Sequence, residues 1–97
     1  MSFDTIADAL EDRRRRRILF ELLDHTSVEQ SAVRSETGHE DIAVQLTHNH
    51  LPKLDDMEYI AWERNGGTIE RGSKFDEIQP TLRLLQQHRD QVPADTF

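Results

Sequence analysis

The sequence contains no cysteine and very little lysine. Among its 97 residues lysine supplies only two of the twelve basic side chains, Lys53 and Lys74. The lack of cysteine excludes a disulfide framework, a thiolate nucleophile and a cysteine-ligated zinc site. No apolar run approaches the roughly 18 residues that cross a bilayer. The first residues show no basic stretch followed by an apolar one, so no secretory signal is expected and the predicted location is the cytoplasm.

Acidic residues outnumber basic ones by 19 to 12, which gives a net charge of −7. At molar salt, repulsion between such charges is screened within about 3 Å. An acidic chain with so little lysine is typical of proteins that work in concentrated salt, and an ordinary acidic protein is the alternative. Hydrophobic residues make up 35% of the chain, which is enough for one small core. We therefore expect a single domain, for which dimerisation is a common supplement.

Apolar periodicity predicts two helices at the start of the chain. Ile6 and Leu10 are four residues apart and share a helix face. Asp12 is a candidate N-cap for a second helix, whose apolar stripe lies within residues 18–23 and which is expected to end near His25.

Two capping-box patterns predict the next two helices. Ser27 with Gln30 predicts a short helix over about 28–35, and Thr37 with Glu40 predicts a longer helix over about 40–56. A proline at position 52 removes one backbone donor, so a kink or an early last turn is expected in this longer helix.

A hairpin and a last helix complete the predicted order. Apolar and polar residues alternate from Tyr59, and Asn65-Gly66-Gly67 supplies a tight turn before the return strand, which predicts a hairpin over 59–72. The final helix is expected to start between Asp76 and Pro80 and to end near Gln91. Its apolar stripe consists of Phe75, Ile78, Leu82 and Leu85.

This order predicts a mainly α (α+β) fold, a winged helix-turn-helix domain over residues 1–74 with the hairpin as its wing. Residues 75–92 are interpreted as a C-terminal dimerisation helix, because a domain this small can hardly cover their apolar stripe alone. Residues 93–97 are predicted to be a disordered tail.

Two segments resemble known regulators. Residues 12–23, Asp-Arg-Arg-Arg-Arg-Arg-Ile-Leu-Phe-Glu-Leu-Leu, resemble the D-P-x-R-R-x-I-L-x-x-L opening of ArsR-type and related archaeal winged-helix regulators. Residues 48–60 are similar to the S-R-H-L-x-K-L-x-x-A-G-L-V run with which their recognition helix ends and the wing begins. The letters His-Asn-His-Leu-Pro-Lys-Leu in particular resemble a group of small haloarchaeal winged-helix proteins whose domain has no assigned function.

The resemblance covers about residues 4–72 and implies a winged-helix fold, DNA binding and a C-terminal helix that dimerises. There are departures from the pattern. Proline is missing before the arginines, Glu58 stands where the family usually has glycine, and the metal-sensing cysteines are absent. The resemblance therefore does not imply metal sensing.

Residues 42–54 contain no acidic residue although the chain is acidic. Within this stretch Gln45, His48, Asn49 and Lys53 point away from the apolar side of the predicted helix. Glutamine and asparagine pair well with adenine, and lysine reaches guanine or a phosphate. We interpret these four residues as the DNA-contacting face of a recognition helix in the major groove; a solvated face that merely lacks acids is the alternative.

The other candidate DNA contacts are arginines. In the run 13–17, Arg14 is the best candidate for a phosphate contact, because Arg15, Arg16 and Arg17 each have an acidic residue four positions away. In the wing, Arg64 and Arg71 flank the turn and are placed on the backbone or minor groove, or they pair with the neighbouring glutamates.

Metal binding and catalysis are not expected. His48 and His50 point about 200° apart on a helix, so they do not chelate one ion, and His50 is predicted to pack inward. Neither a phosphate-binding glycine loop nor a recognisable nucleophile motif is present, so we predict no enzyme and no cofactor.

Three functions stay open at this point. The favoured one is a homodimeric, sequence-specific DNA-binding transcription regulator of a salt-loving archaeon. The alternatives are a winged helix that binds a protein instead of DNA, and a DNA-binding sensor with a ligand between its wing and its last helix.

Overall fold

Helices and one small antiparallel sheet alternate along the chain in the computed structural model, which describes residues 3–29 and 49–97. Four α-helices and three strands lie in this part, which is therefore α+β. In chain order they are α1 (Phe3–Leu10), α2 (Arg13–Asp24), β1 (Ser27–Glu29), α3 (Leu51–Asp56), β2 (Ile60–Glu63), β3 (Thr68–Arg71) and α4 (Phe75–Gln87). Short 3-10 helices follow at Arg89–Gln91 and Ala94–Thr96.

The start of α2 confirms the predicted cap. Asp12 has extended backbone angles, and its carboxylate accepts the N–H of Arg14 at 2.8 Å, which satisfies one donor of the first turn. The helix ends at Asp24, and the N–H of His25 donates to the Glu21 carbonyl oxygen at 3.0 Å. The apolar stripe of α2 is buried as its spacing predicts, except for Leu23, which is partly buried at the edge of the core.

Ser27–Glu29 is a strand, so the predicted helix start at this point is wrong. Ser27 pairs with Glu70, and Val28 pairs with Ile69. The edge of β3 that faces away from β2 needs backbone partners, and this pairing over a long sequence separation overrides the local capping signal at Ser27. The remainder of the predicted short helix, and the turn at Thr37 that follows it, lie outside the described residues.

The predicted hairpin is confirmed. β2 and β3 pair antiparallel with Trp62 opposite Ile69, and the sheet order is β1-β3-β2. In the turn, the N–H of Gly67 donates to the Glu63 carbonyl oxygen at 2.8 Å, and Gly67 has a φ of 68°. Ile60 and Ile69 place the inner face of the hairpin in the core.

α3 is the described end of the predicted recognition helix. It runs from Leu51 to Asp56 with Leu51 and Leu54 buried. Asn49 and His50, immediately before it, form a wider π-helical turn. Pro52 lacks the N–H for a regular backbone bond, and the irregular turn agrees with the kink predicted at this proline.

Glu58, between α3 and β2, adopts a left-handed conformation with a φ of 64°. A side chain at such an angle is strained, because its Cβ crowds the backbone. A glycine at this position would have no such penalty. The Glu58 carboxylate contacts the Lys74 ammonium at 3.2 Å, an exposed ion pair of little energetic weight.

We expect Glu58→Gly to stabilise the protein by about 1 kcal/mol, because the strain of a left-handed side chain is removed. Urea unfolding of both proteins measures the change. Glu58→Ala is the matched control, since it removes the ion pair and keeps the strain. A glycine variant no more stable than the alanine variant would contradict this account.

The stripe on α4 belongs to the chain's own core, which corrects the basis of the predicted dimer interface. Phe75, Ile78 and Leu82 are buried, and Leu85 packs against the core at its edge. α4 packs on α2, so these side chains are covered within one copy. Leu84 is the α4 residue that exposes a large apolar surface, at 57%.

The bounds of α4 also differ from those predicted. It begins at Phe75 and ends at Gln87, followed by a separate 3-10 helix. Pro80 lies inside it on the exposed side, where the loss of one backbone bond does not disturb the core. The expectation that Pro80 must lie in the first turn is therefore wrong.

The C-terminal residues pack on α2, so the prediction of a disordered tail is wrong. The Phe97 ring lies 4.7 Å from the Phe20 ring, and the Arg89 guanidinium lies 4.5 Å from the centre of the Phe97 ring. Arg16 donates to the Thr96 carbonyl oxygen at 2.9 Å. These aromatic, cation–π and hydrogen-bond contacts hold the last residues against the rest of the chain.

The core lies between the four helices and the inner face of the sheet. Its buried hydrophobic members are Ile6, Ala9, Ile18, Leu19, Phe20, Leu22, Leu51, Leu54, Tyr59, Ile60, Ile69, Phe75, Ile78 and Leu82. Within the described ranges, none of the helices has the length and apolar character needed to cross a bilayer.

Candidate nucleic-acid interface

Two of the predicted recognition residues lie on the outer side of the α3 region. Asn49 is exposed, and Lys53 is partly exposed, with 38% of its side chain accessible. Leu51 and Leu54 point into the core, so the predicted split between a buried and an outer face is confirmed for these residues. Gln45 and His48 lie outside the described residues.

Lys53 has an acidic partner. Its ammonium lies 3.0 Å from the Asp8 carboxylate on α1. Both side chains are about 40% exposed, so the pair is solvated and readily exchanged. A phosphate oxygen would compete with Asp8 for this ammonium, which makes Asp8 a direct modulator of any anion contact by Lys53.

An open groove runs between α1 and α3 beside this pair. It is lined by Asp8, Arg15, Asn49, Pro52, Lys53, Asp56 and Met57. The lining mixes acidic, basic and amide groups, so the groove offers both donors and acceptors. The two acids at the end of α3 differ in role, because Asp55 accepts the backbone N–H of Trp62 at 3.2 Å whereas Asp56 is exposed.

His50 packs inward, as predicted, and is 6% exposed. Its Nδ1 lies 3.2 Å from Nη1 of Arg15. Because a guanidinium only donates, Nδ1 is the acceptor and the ring carries its proton on Nε2. Nε2 is buried with no hydrogen-bond partner within the described part of the chain, and it lies 3.7 Å from Oδ1 of Asp12.

Burial lowers the pKa of His50 below its ordinary value. The carboxylate of Asp12 opposes this shift, and the charge of Arg15 adds to it. At Asp12 burial acts to raise the pKa, but the hydrogen bond from Arg14 N–H and the nearby positive charges outweigh it, so the pKa is lowered. The cluster therefore holds a neutral imidazole between a carboxylate and a guanidinium near neutral pH.

Two arginines of the run 13–17 form hydrogen bonds that hold the end of α1. Arg15 is buried and donates to the carbonyl oxygens of Ala9 at 3.1 Å and Asp8 at 2.8 Å. Arg16 donates to the carbonyl oxygen of Leu10 at 2.7 Å. These carbonyls end α1 and lack partners within the helix. The expectation that Glu11 pairs with Arg15 is therefore corrected, because Arg15 turns inward to cap α1.

Arg14, the predicted phosphate contact, has an ion-pair partner. Its Nη1 lies 3.6 Å from Oδ2 of Asp12, and its side chain is 36% exposed. Arg14 still has fewer side-chain partners than Arg15 or Arg16. A phosphate contact by Arg14 requires that it leave Asp12 or bind in addition to it.

The two wing arginines have different surroundings. Arg64 is exposed, with its guanidinium 4.7 Å from the centre of the Trp62 ring. Arg71 donates to the carbonyl oxygens of Leu22 at 2.7 Å and Leu23 at 3.1 Å. Arg71 thus caps the end of α2, so a DNA contact by Arg71, which stays a prediction, would have to compete with these bonds. Arg64 keeps its place as the exposed wing cation.

Within residues 3–29 and 49–97, no three His, Asp or Glu side chains are grouped so that they could hold a metal ion.

Comparison with protein families matches residues 7–70 to a domain of unknown function, DUF7344. The matched region runs from α1 to β3 and leaves out α4 and the C-terminal turns. No curated protein and no solved structure matches the chain.

Proposed function

The chain belongs to the DUF7344 family, and from this premise and the geometry above we propose that it is a winged-helix DNA-binding protein that regulates transcription. The observation that carries the proposal is the direct succession of α3 and the β2–β3 hairpin. Only residues 57–59 lie between them. A recognition helix in the major groove needs an exposed polar face beside a buried one. A hairpin that follows this helix directly lies within reach of the neighbouring DNA backbone.

Each exposed group on this surface has a stated part in the proposal. Asn49 reads a base edge, because an amide both donates to and accepts from adenine. Lys53 binds a phosphate and leaves Asp8 to do so. Arg64, stiffened by its contact with the Trp62 ring, lies on the backbone or in the minor groove. Gln45 and His48 extend the reading face in the proposal.

We also propose that the protein acts at high salt, as the resemblance to haloarchaeal proteins and the net charge of −7 suggest. Counterion release contributes less to binding as bulk salt rises. A protein that binds DNA under such conditions depends on hydrogen bonds to bases and on shape, and not on a broad basic surface. The mixed lining of the α1–α3 groove agrees with this requirement.

The proposal keeps a homodimer, because helix-turn-helix proteins commonly read two half-sites one helical turn apart. The α4 stripe is not the contact between the two copies, since Phe75, Ile78 and Leu82 are already buried.

A second candidate is a winged helix that binds a protein. The ion pair of Lys53 with Asp8 and the exposed Asp56 favour it, because they leave α3 with little positive potential. A basic protein surface would complement such a face.

Binding of labelled upstream DNA by fluorescence polarisation, over a KCl series, tests the proposal. Asn49→Ala is expected to relax the preference for the best sequence by about 1–3 kcal/mol, the value of one bidentate base contact.

Lys53→Ala is expected to weaken binding to all sequences alike and to flatten the salt dependence. Asp8→Asn is expected to strengthen binding, because it releases Lys53.

Arg83→Ala is the matched control, since it removes an exposed charge from α4 and is expected to leave binding unchanged. Two results would contradict the proposal: no DNA binding at any salt concentration, or equal binding by the Asn49, Lys53 and Asp8 variants and the parent. Binding to a basic protein partner without DNA binding would favour the second candidate.

A further inference from the structure

We propose that Asp12, Arg15 and His50 form a proton-sensitive latch that holds the recognition segment, Asn49–Asp56, against α1 and α2. Its effect on DNA rests on the function proposed above, whereas the latch itself does not. The proposal starts from the position of the cluster. Asp12 and Arg15 lie at the beginning of α2, and His50 immediately precedes α3.

Arg15 ties three segments together. Two of its nitrogens donate to the carbonyl oxygens of Asp8 and Ala9 at the end of α1, and the third lies against Nδ1 of His50. Its guanidinium is therefore a direct link between α1, α2 and the start of the recognition segment. Arg15 is a positioning residue, because it acts on that segment through His50.

Proton uptake by His50 breaks this link. A neutral imidazole accepts at Nδ1, but an imidazolium carries hydrogens on both nitrogens and cannot accept. The Arg15 N–H would then face an N–H, and two positive charges would lie in a buried site. Nε2, which has no hydrogen-bond partner in the described part, faces Asp12 at 3.7 Å. The charged ring is therefore drawn towards Asp12 and away from Arg15.

The surroundings of His50 determine the direction of the pH effect. The charged groups that act on it are Arg14, Arg15 and Asp12 at the start of α2 and Lys53 on α3, while Asp8 on α1 pairs with Lys53. Burial and the three cations lower the pKa of His50, and Asp12 partly compensates. The unfolded chain, in which the imidazole has its ordinary value of 6.5, takes up the proton first. Stability from the latch is thus complete above pH 6.5 and is lost as pH falls through the lowered pKa.

Asp12 does not itself titrate in this range. Its pKa lies below the ordinary value of 3.8, so it stays charged while His50 takes up its proton. The pH dependence between neutrality and mild acid is therefore assigned to His50.

The single tryptophan gives a readout that needs no DNA. The backbone N–H of Trp62 donates to the carboxylate of Asp55 on α3, so a shift of α3 changes the surroundings of Trp62. We expect its fluorescence to change over the same pH range in which His50 takes up its proton. NMR of the imidazole resonances monitors that protonation. His88, which is exposed on the C-terminal side of α4, serves as the internal reference.

Two variants test the assignment. Asp12→Asn keeps the helix cap, because asparagine caps as well as aspartate, but removes the charge that stabilises the imidazolium. It is expected to move the titration of His50 and the fluorescence change to lower pH together and to leave the His88 resonance in place. His50→Gln keeps an acceptor for Arg15 and no longer titrates, so the fluorescence change is expected to disappear.

DNA binding reports the consequence for function. We expect the parent to lose about fivefold or more in affinity relative to His50→Gln on acidification from about pH 7.5 to a pH at which the NMR titration shows His50 protonated, a typical strength of coupling between sites. If His50→Gln fails to fold, the parent and Asp12→Asn titrations decide alone. The latch would be overturned if the His50 titration of Asp12→Asn matched that of the parent, or if the Trp62 fluorescence did not change when His50 takes up its proton. A latch that titrates as described in a protein that never binds DNA would instead overturn only the proposed function.

Discussion

Replacement of Arg15 by methionine is expected to destabilise the protein by about 3 kcal/mol or more. Methionine retains much of the apolar stem but donates no hydrogen bond. The carbonyl oxygen of Ala9 and the Nδ1 of His50 would lose their donor in a buried site, and the half-buried carbonyl oxygen of Asp8 would keep only the N–H of Glu11 at 3.4 Å. Hydrogen bonds from charged donors contribute about 1.5–3 kcal/mol each, and buried acceptors left without a partner cost more.

Urea unfolding followed by circular dichroism measures this loss. Arg13→Met is the matched control, since Arg13 belongs to the same arginine run and is exposed; its replacement is expected to change stability by no more than about 0.5 kcal/mol. Arg15→Lys is expected to recover only part of the loss, because an ammonium cannot reach three acceptors with the geometry of a guanidinium. Equal stability of the Arg13 and Arg15 variants would show that the buried arginine does not hold α1.

Gly72→Ala is expected to cost about 3 kcal/mol or to prevent folding. A Cβ at this position would lie 2.3 Å from the carbonyl oxygen of Glu58 and 2.8 Å from the carbonyl carbon of Ile60. Both are backbone atoms, so the overlap can be relieved only by a shift of the backbone that joins α3 to the hairpin. Overpacking of this kind commonly costs 1 to about 3 kcal/mol and sometimes more.

Gly66, in the turn of the hairpin, provides the comparison. At Gly66 a Cβ would meet the Cγ of Glu63 at 3.3 Å, and that side chain is flexible and exposed. Gly66→Ala is expected to shift the thermal midpoint by only a few degrees, whereas Gly72→Ala shifts it by much more. Similar midpoints for the two alanine variants would mean that Gly72 is not held against the backbone as described.

Local signals were sufficient for the features that are local. The turn Asn65-Gly66-Gly67 predicts the hairpin, and Asp12 predicts the start of α2, because each depends on nearby backbone atoms. The inward position of His50 also follows from the helix pattern and the resemblance. The structure confirms all three.

The features that depend on distant partners could not be read in the same way. Ser27–Glu29 is a strand because it pairs with the free edge of β3. No residue close to it in the sequence indicates that this edge is present. Arg71 caps α2 from the far side of the sheet. The C-terminal residues 93–97 are ordered because the Phe97 ring packs against the Phe20 ring of α2.

A signal for the role of Arg15 was nevertheless present in the sequence. α1 ends without a glycine or asparagine cap, so its last carbonyls need donors from elsewhere. An arginine run begins at Arg13, three residues after the last residue of that helix. The prediction treated those arginines as surface charges paired along one helix, and it overlooked the requirement of the helix before it.

Binding of DNA by the α3 region and the hairpin is tested residue by residue in an NMR titration of the isotope-labelled protein with its upstream DNA in KCl buffer. We expect the largest changes in amide resonances at Asn49, Lys53 and Arg64, with little change along α4. Changes confined to α4 and the C-terminal turns, or none at saturating DNA, would contradict this expectation.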